Sequence, residues 1–326
     1  MSSSVTLERT PQSQTGAGRT TVALHAGALT LELAPTAGGS IARFYATIDA
    51  VQQHWLRPAS DAAIANNDVD GMASFPLVPF CNRLRGGRAN FKGQAIVLPL
   101  YPPGTPHALH GGGWLQPWTL TAHDAQSAQL EMTHAGAHAA WPWPFAFHAS
   151  QLFVLREDRL TVTLEVENRG MQSMPIGIGH HPFLPDRAHA RLTVDLGAMW
   201  ATDHEVMPTA LAKPPLLDAL RAGAALAEIL QDNNFIEWDR VARVDWPATA
   251  ARPRASSLRM TSDAPLDYFV LYSPAQSDFF CIEAVSNCTD WLNLAEAHTP
   301  RQQIGGSVIA PGERYRGTFW LEPSWQ

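Results

Sequence analysis

The chain has 326 residues, 45% of them hydrophobic and 16% charged, with a formal net charge of −7; that is enough apolar mass for a large packed core, and it excludes a wholly disordered chain. The acidic residues are scattered and no stretch is rich in Lys or Arg, which argues against a nucleic-acid partner. Glycine and proline, 23 and 25 residues, favour many short strands joined by tight turns over long helices.

Residues 1–20 carry neither a basic start nor an apolar run, so they read as a loose polar tail and not as a secretory leader. No linker, composition shift or fixed-period repeat divides residues 21–326, which read as a single domain. A first strand is expected at 30–33. The apolar run 72–80 is broken by Pro76 and Pro79, far short of the roughly 20 residues a membrane span needs. No membrane association is expected.

A strand at 151–155 breaks at Arg156-Glu157-Asp158 and returns as 160–167, where Leu160, Val162, Leu164 and Val166 alternate on one face. The turn Asn168-Arg169-Gly170 closes it. Further strands are expected at 191–196 and 268–272. Behind Pro214 and Pro215, the residues Leu216, Leu217, Leu220, Leu226, Ile229 and Leu230 recur at roughly helical spacing, which predicts a helix or two short turns inserted in a β domain. The fold class expected is therefore all-β with minor helical insertions. The cysteines Cys81, Cys281 and Cys288 are odd in number and lack CxxC spacing, as suits a reduced, cytoplasmic setting.

Four segments combine charged or imidazole groups with turn residues: FPLVPFCNRLRGG at 75–87, HALHGGGW at 107–114, GIGHHPFL at 177–184 and FFCIEAVSNC at 279–288. An isolated Arg83 would be a surface ion-pair partner, and His107 and His110 ordinary loop histidines. His180 and His181 are adjacent, and neighbours on a strand face opposite sides, so only one can point into a given pocket. Glu283 interrupts an apolar run and shares a face with Cys281 and Val285. A lone carboxylate there either has a partner, works, or lies on an edge strand facing water.

Of eleven tryptophans, Trp114 and Trp238 are placed to offer an aromatic face to a pyranose. His134 and His138 are four apart, but glycine, alanine and prolines around them make a helix doubtful, and no HExxH occurs, so no metal is expected. GxSxG, GxxxxGK[ST] and a correctly placed GxGxxG are also missing, which leaves nucleotide and cofactor chemistry without a foothold.

Together these segments resemble the aldose 1-epimerase (galactose mutarotase-like) family, more narrowly its bacterial YphB-like branch, from about residue 22 to the C-terminus. The resemblance implies a large antiparallel β-sandwich, often called a supersandwich. It implies no cofactor and a small-molecule monosaccharide partner, with the chain a monomer or a homodimer. Residues 75–88 are similar to the family's segment ending in Asn-Arg-Ile, implying sugar binding by Arg83 and Asn82. Residues 107–114 are similar to its Leu-His-Gly segment, implying His110 in the pocket with Trp114 beside it. GHHPFL resembles His-Pro-Tyr-Phe, implying His181 as catalytic acid, with Phe183 in place of tyrosine. QDNNF at 231–235 implies Asp232 as a hydroxyl ligand. CIEAV resembles Cys-Ile-Glu-Pro, implying Glu283 as catalytic base, with Ala284 in place of proline. Arg85 and Arg88, near the same pocket in sequence, leave open a phosphorylated sugar, and a non-catalytic sugar-binding protein of this fold is the other alternative.

Overall fold

The structure, a computed structural model, describes residues 21–138, 141–250 and 252–326; the expected tail at 1–20 lies outside them. Among the described residues two large antiparallel sheets dominate. One has nine strands in the order Thr119–His123, Ser127–His134, Phe147–Leu155, Leu160–Asn168, Arg314–Trp325, Ser256–Ser262, Val241–Trp246, Arg191–Val194, Ala224–Ala225. The other runs Pro208–Ala212, Ala198–Thr202, Gln231–Ile236, Tyr268–Ser273, Phe280–Val285, Gly179–His180, Pro76–Leu77, with Phe183–Leu184 also paired to Phe280–Val285. A four-stranded meander, Val22–Ala26 to Val51–His54, completes the frame. The all-β class expected from the alternation and the sandwich implied by the resemblance are what form.

The two sheets pack face to face, as side chains from both meet between them. The His180 and Phe319 rings lie 5.4 Å apart, and Trp246 and Phe280 6.5 Å. One contiguous cluster of buried residues runs from Leu24 to Leu321. Leu160, Val162, Leu164 and Val166 are all in it, the predicted stripe. The strand expected at 191–196 ends at Val194.

The helical reading resolves into a six-residue helix, Leu216–Arg221, and a separate 3₁₀ turn, Leu226–Glu228. Gly223, with φ +86°, takes the left-handed conformation that stops the helix. Leu217, Leu220 and Leu226 are buried, but Leu230 is exposed and directly precedes the strand Gln231–Ile236, so it does not belong to the helical stripe. No helix among the described residues is long and apolar enough to cross a membrane. All three cysteines are free and buried.

Strand alternation decides where the site lies. His180 points between the sheets: the Ser74 hydroxyl meets its Nδ1, and its Nε2 faces Gln151 Oε1 at 3.1 Å. Gln151 in turn donates to the Gly39 carbonyl. His181 must then face the opposite side of the eight-stranded sheet. Register puts more residues on that outer face, because cross-strand partners project together. Asp232 pairs with Tyr272, Tyr272 with Cys281 and Cys281 with Phe183, while Glu283 stands one step along the same side, opposite Val270.

Candidate active site

The outer face of the eight-stranded sheet forms the floor of a cavity of about 420 Å³, and loops from 75–83 and 101–114 form its walls. Glu283, His181, Arg83, His110, Asp232, Trp114 and Asn82 all line it, so the fold gathers every residue implied by the resemblance from segments up to about 200 positions apart. A larger hollow, about 560 Å³, sits at the edge of the nine-stranded sheet. There His148 faces Glu131 at 3.4 Å and His134 Nε2 meets the Trp143 carbonyl at 2.8 Å, so those polar groups already have partners. Convergent, unsatisfied titratable groups mark the smaller cavity.

At its floor His181 Nε2 lies 3.3 Å from Glu283 Oε1. Glu283 is only 2% exposed and sits on an interior strand, which overturns the reading of an edge-strand carboxylate facing water. Its Oε2 and His181 Nδ1 are buried without a protein partner. Such orphaned atoms are costly unless a ligand or water meets them. Burial pushes the Glu283 carboxyl well above its usual range, Asp232 adding and Arg83 opposing. Burial likewise pushes the His181 imidazole down to about 3, with Arg57 and Arg83 adding to it. Ordinary values would make Glu283 a carboxylate and His181 partly protonated at neutrality. Burial instead drives both toward their uncharged forms, because a low-dielectric pocket penalises charge.

Arg83 extends along the cavity to Asp232, with Nη2 at 2.8 Å from Oδ2 and Nη1 at 3.4 Å from Oδ1, a forked contact across 149 positions. Asn82, at φ +61°, turns its Oδ1 onto the Arg83 backbone N–H and Nη1. That oxygen therefore holds the arginine in place. Arg83 is thus no isolated surface cation.

His110 also has a left-handed backbone, φ +59°. The Asn82 backbone N–H donates to its Nδ1 at 3.0 Å, and the His110 N–H returns a bond to the Asn82 carbonyl at 2.9 Å. An occupied Nδ1 acceptor assigns the proton to Nε2. Burial, with His181 and Arg83 adding, holds the ring well below its usual pKa, so His110 is a neutral donor.

Aromatic rings surround this polar set. Phe75 stacks on Trp114 at 4.7 Å, and Phe183 on His181 at 4.6 Å. Trp114, 1% exposed, gives one ring face to Phe75 and braces the wall; it is not an open platform. Trp238 is absent from the cavity: it packs on Phe269 and donates to the Val241 carbonyl. Arg85 is held by Asp290 and faces Asp203, and neither it nor Arg88 lines the cavity.

Further cavity residues escaped the sequence reading, among them Arg57, Asp70, Tyr101 and Tyr272. Tyr272 was legible only through register, as the cross-strand partner of Asp232. Arg57 and Asp70 carry no motif. Among the described residues no three His, Cys, Asp or Glu side chains come together as a metal site would require.

Several comparisons bear on this geometry. The chain is 30% identical to the uncharacterised protein YphB of Escherichia coli K12 over 279 residues, 83% of this chain and 89% of that protein. A crystal structure from Escherichia coli K12, itself only provisionally assigned as an aldose 1-epimerase, matches with TM-score 0.79 and 27% identity over 94% of this chain and 99% of that one. A galactose 1-epimerase from Lactobacillus acidophilus shares the fold at TM-score 0.70 and 15% identity, over 94% of each chain. The family model for aldose 1-epimerase matches residues 21–322. With its sandwich and all the implied site residues in one cavity, the chain belongs to the aldose 1-epimerase family.

Proposed function

We propose that the protein is a cofactor-independent mutarotase that interconverts the α and β anomers of a free aldohexose. The observation that carries this reading is the 3.3 Å contact between His181 and Glu283, both with a further unsatisfied atom, on the floor of a sugar-sized cavity.

Anomer exchange needs a proton removed from the C1 hydroxyl and one delivered to the ring oxygen. A sugar entering the cavity places O1 against Glu283 and O5 against His181. Its polar atoms then replace missing solvation, which favours the charged forms of the pair. The one proton the pair shares passes to His181. Glu283 takes the O1 proton as His181 protonates O5, the C1–O5 bond breaks, and the open aldehyde forms. After rotation about C1–C2 the aldehyde presents its other face. Glu283 returns its proton to O1, O5 attacks C1, and His181 recovers the O5 proton. Arg83, Asp232 and the Nε2–H of His110 hold the remaining hydroxyls meanwhile.

Each positioned acid or base contributes about 10²–10⁴ in rate. Polarimetry or NMR of freshly dissolved α-glucose and α-galactose tests the proposal. Wild type should speed the approach to anomeric equilibrium, and Glu283→Gln and His181→Asn should each lose at least about 10² of that acceleration. Binding without acceleration would point to a non-catalytic sugar-binding protein instead.

A further inference from the structure

We propose that Arg57 and Asp70 form the subsite that reads the substituent on the ring-oxygen side of the sugar, selecting an uncharged hydroxyl there over a phosphate. The inference rests on the proposed function, since it takes O5 to lie at His181.

Phe183 connects the two places. Its ring stacks on His181 at 4.6 Å, and the Arg57 guanidinium lies 4.1 Å from the same ring and 4.8 Å from Phe279. A pyranose with O5 at His181 directs C5, and the exocyclic C6 it bears, toward that side. Arg57 is held rigidly there: its Nη2 donates to the carbonyls of Asp70 and Met72, each at 2.7 Å. Among the described residues it has no ion-pair partner, and its Nε and Nη1 donate to no protein acceptor. Asp70, whose carbonyl grips Arg57, lines the same cavity, and among the described residues its carboxylate meets only the Tyr101 hydroxyl, at 3.5 Å.

The subsite thus offers free guanidinium donors beside a free carboxylate acceptor. A hydroxyl satisfies both, accepting from Arg57 and donating to Asp70. A phosphate, carrying about −1.5 to −2 at pH 7, is chiefly an acceptor. It would also add its charge to Asp278, Asp70 and Asp68, whose fields all act on Arg57. Burial and Asp68 already push the Asp70 carboxyl up. No second free cation among the described residues lines the cavity to offset this, because Arg83 is engaged by Asp232.

The test compares anomer exchange of a hexose, its 6-deoxy analogue and its 6-phosphate by NMR, in wild type and in Asp70→Asn. Wild type should show kcat/KM for the 6-phosphate at least about tenfold below that for the hexose, with the 6-deoxy sugar between them. Asp70→Asn should narrow the hexose-to-phosphate ratio several-fold through KM. Equal turnover of hexose and 6-phosphate in wild type, or an unchanged ratio in the variant, overturns the inference. If wild type accelerates none of the three sugars, the mutarotase reading fails instead. Dissociation constants for the same ligands then decide the subsite, since equal binding of hexose and 6-phosphate would remove it.

Discussion

The carboxyl of Glu283 and the imidazole of His181 are each made less willing to carry charge by their shared burial, and this bears on the proposed acid–base chemistry and on stability. Because the folded pKa of Glu283 is raised, its contribution to stability is full below the unfolded value of about 4.5 and is lost as pH rises through the folded one. Glu283→Gln should therefore melt no lower than wild type at pH 8 while losing mutarotation; a clear drop in melting temperature at pH 8 would contradict the assigned burial cost. The flanking pair acts on the same carboxyl in opposite directions. Asp232 raises its pKa and Arg83 lowers it. In kcat/KM–pH profiles the apparent pKa of the pair should move down in Asp232→Asn and up in Arg83→Ala. Arg83→Ala should also raise KM, and shifts of the same sign in both variants would break the electrostatic account.

Secondary elements contribute by holding these side chains from behind. Asn287, fully buried just past the strand Phe280–Val285, accepts the Cys81 N–H at 3.1 Å and donates to the Cys81 carbonyl at 3.1 Å. It clasps the segment that presents Asn82 and Arg83. Gly177 packs against it so closely that an added Cβ would fall on Asn287 Oδ1. Gly177→Ala should therefore cost about 1–3 kcal/mol from overpacking and broken hydrogen bonds. It should also weaken sugar binding with no change at any cavity residue. Denaturant unfolding and KM check both, and an unaltered KM would show that the clasp does not set the position of Arg83. His180 serves similarly, tying the end of the strand Gly179–His180, just before His181, to Ser74 and Gln151.

Across the whole molecule, burial of neutral histidines should make the fold acid-sensitive. Burial, the largest cause in each case, lowers His54 to about 4, His180 and His181 to about 3, and His110 well below its usual value. A depressed folded pKa leaves stability intact above the unfolded value near 6.5 and removes it as pH falls toward the folded value. Each fully buried ring contributes up to about 1.4 kcal/mol per pH unit in that window, and the partly exposed His54 less. Glu283 opposes them over part of the range. The melting temperature should fall between pH 6.5 and 5; an unchanged value across it would contradict this. By itself the sequence determined the all-β class, because period-2 alternation and turn residues act locally, and it supplied the residue types of the site through five ordered motifs. Only the tertiary structure decided that His181 and not His180 enters the cavity, that Glu283 lies on an interior strand, and that Asp232 meets Arg83. It alone brought Arg57 and Asp70 to the same cavity and set the direction of each pKa. Those properties come from long-range register and from the dielectric that surrounding chain segments create, neither of which is written in any local stretch of residues.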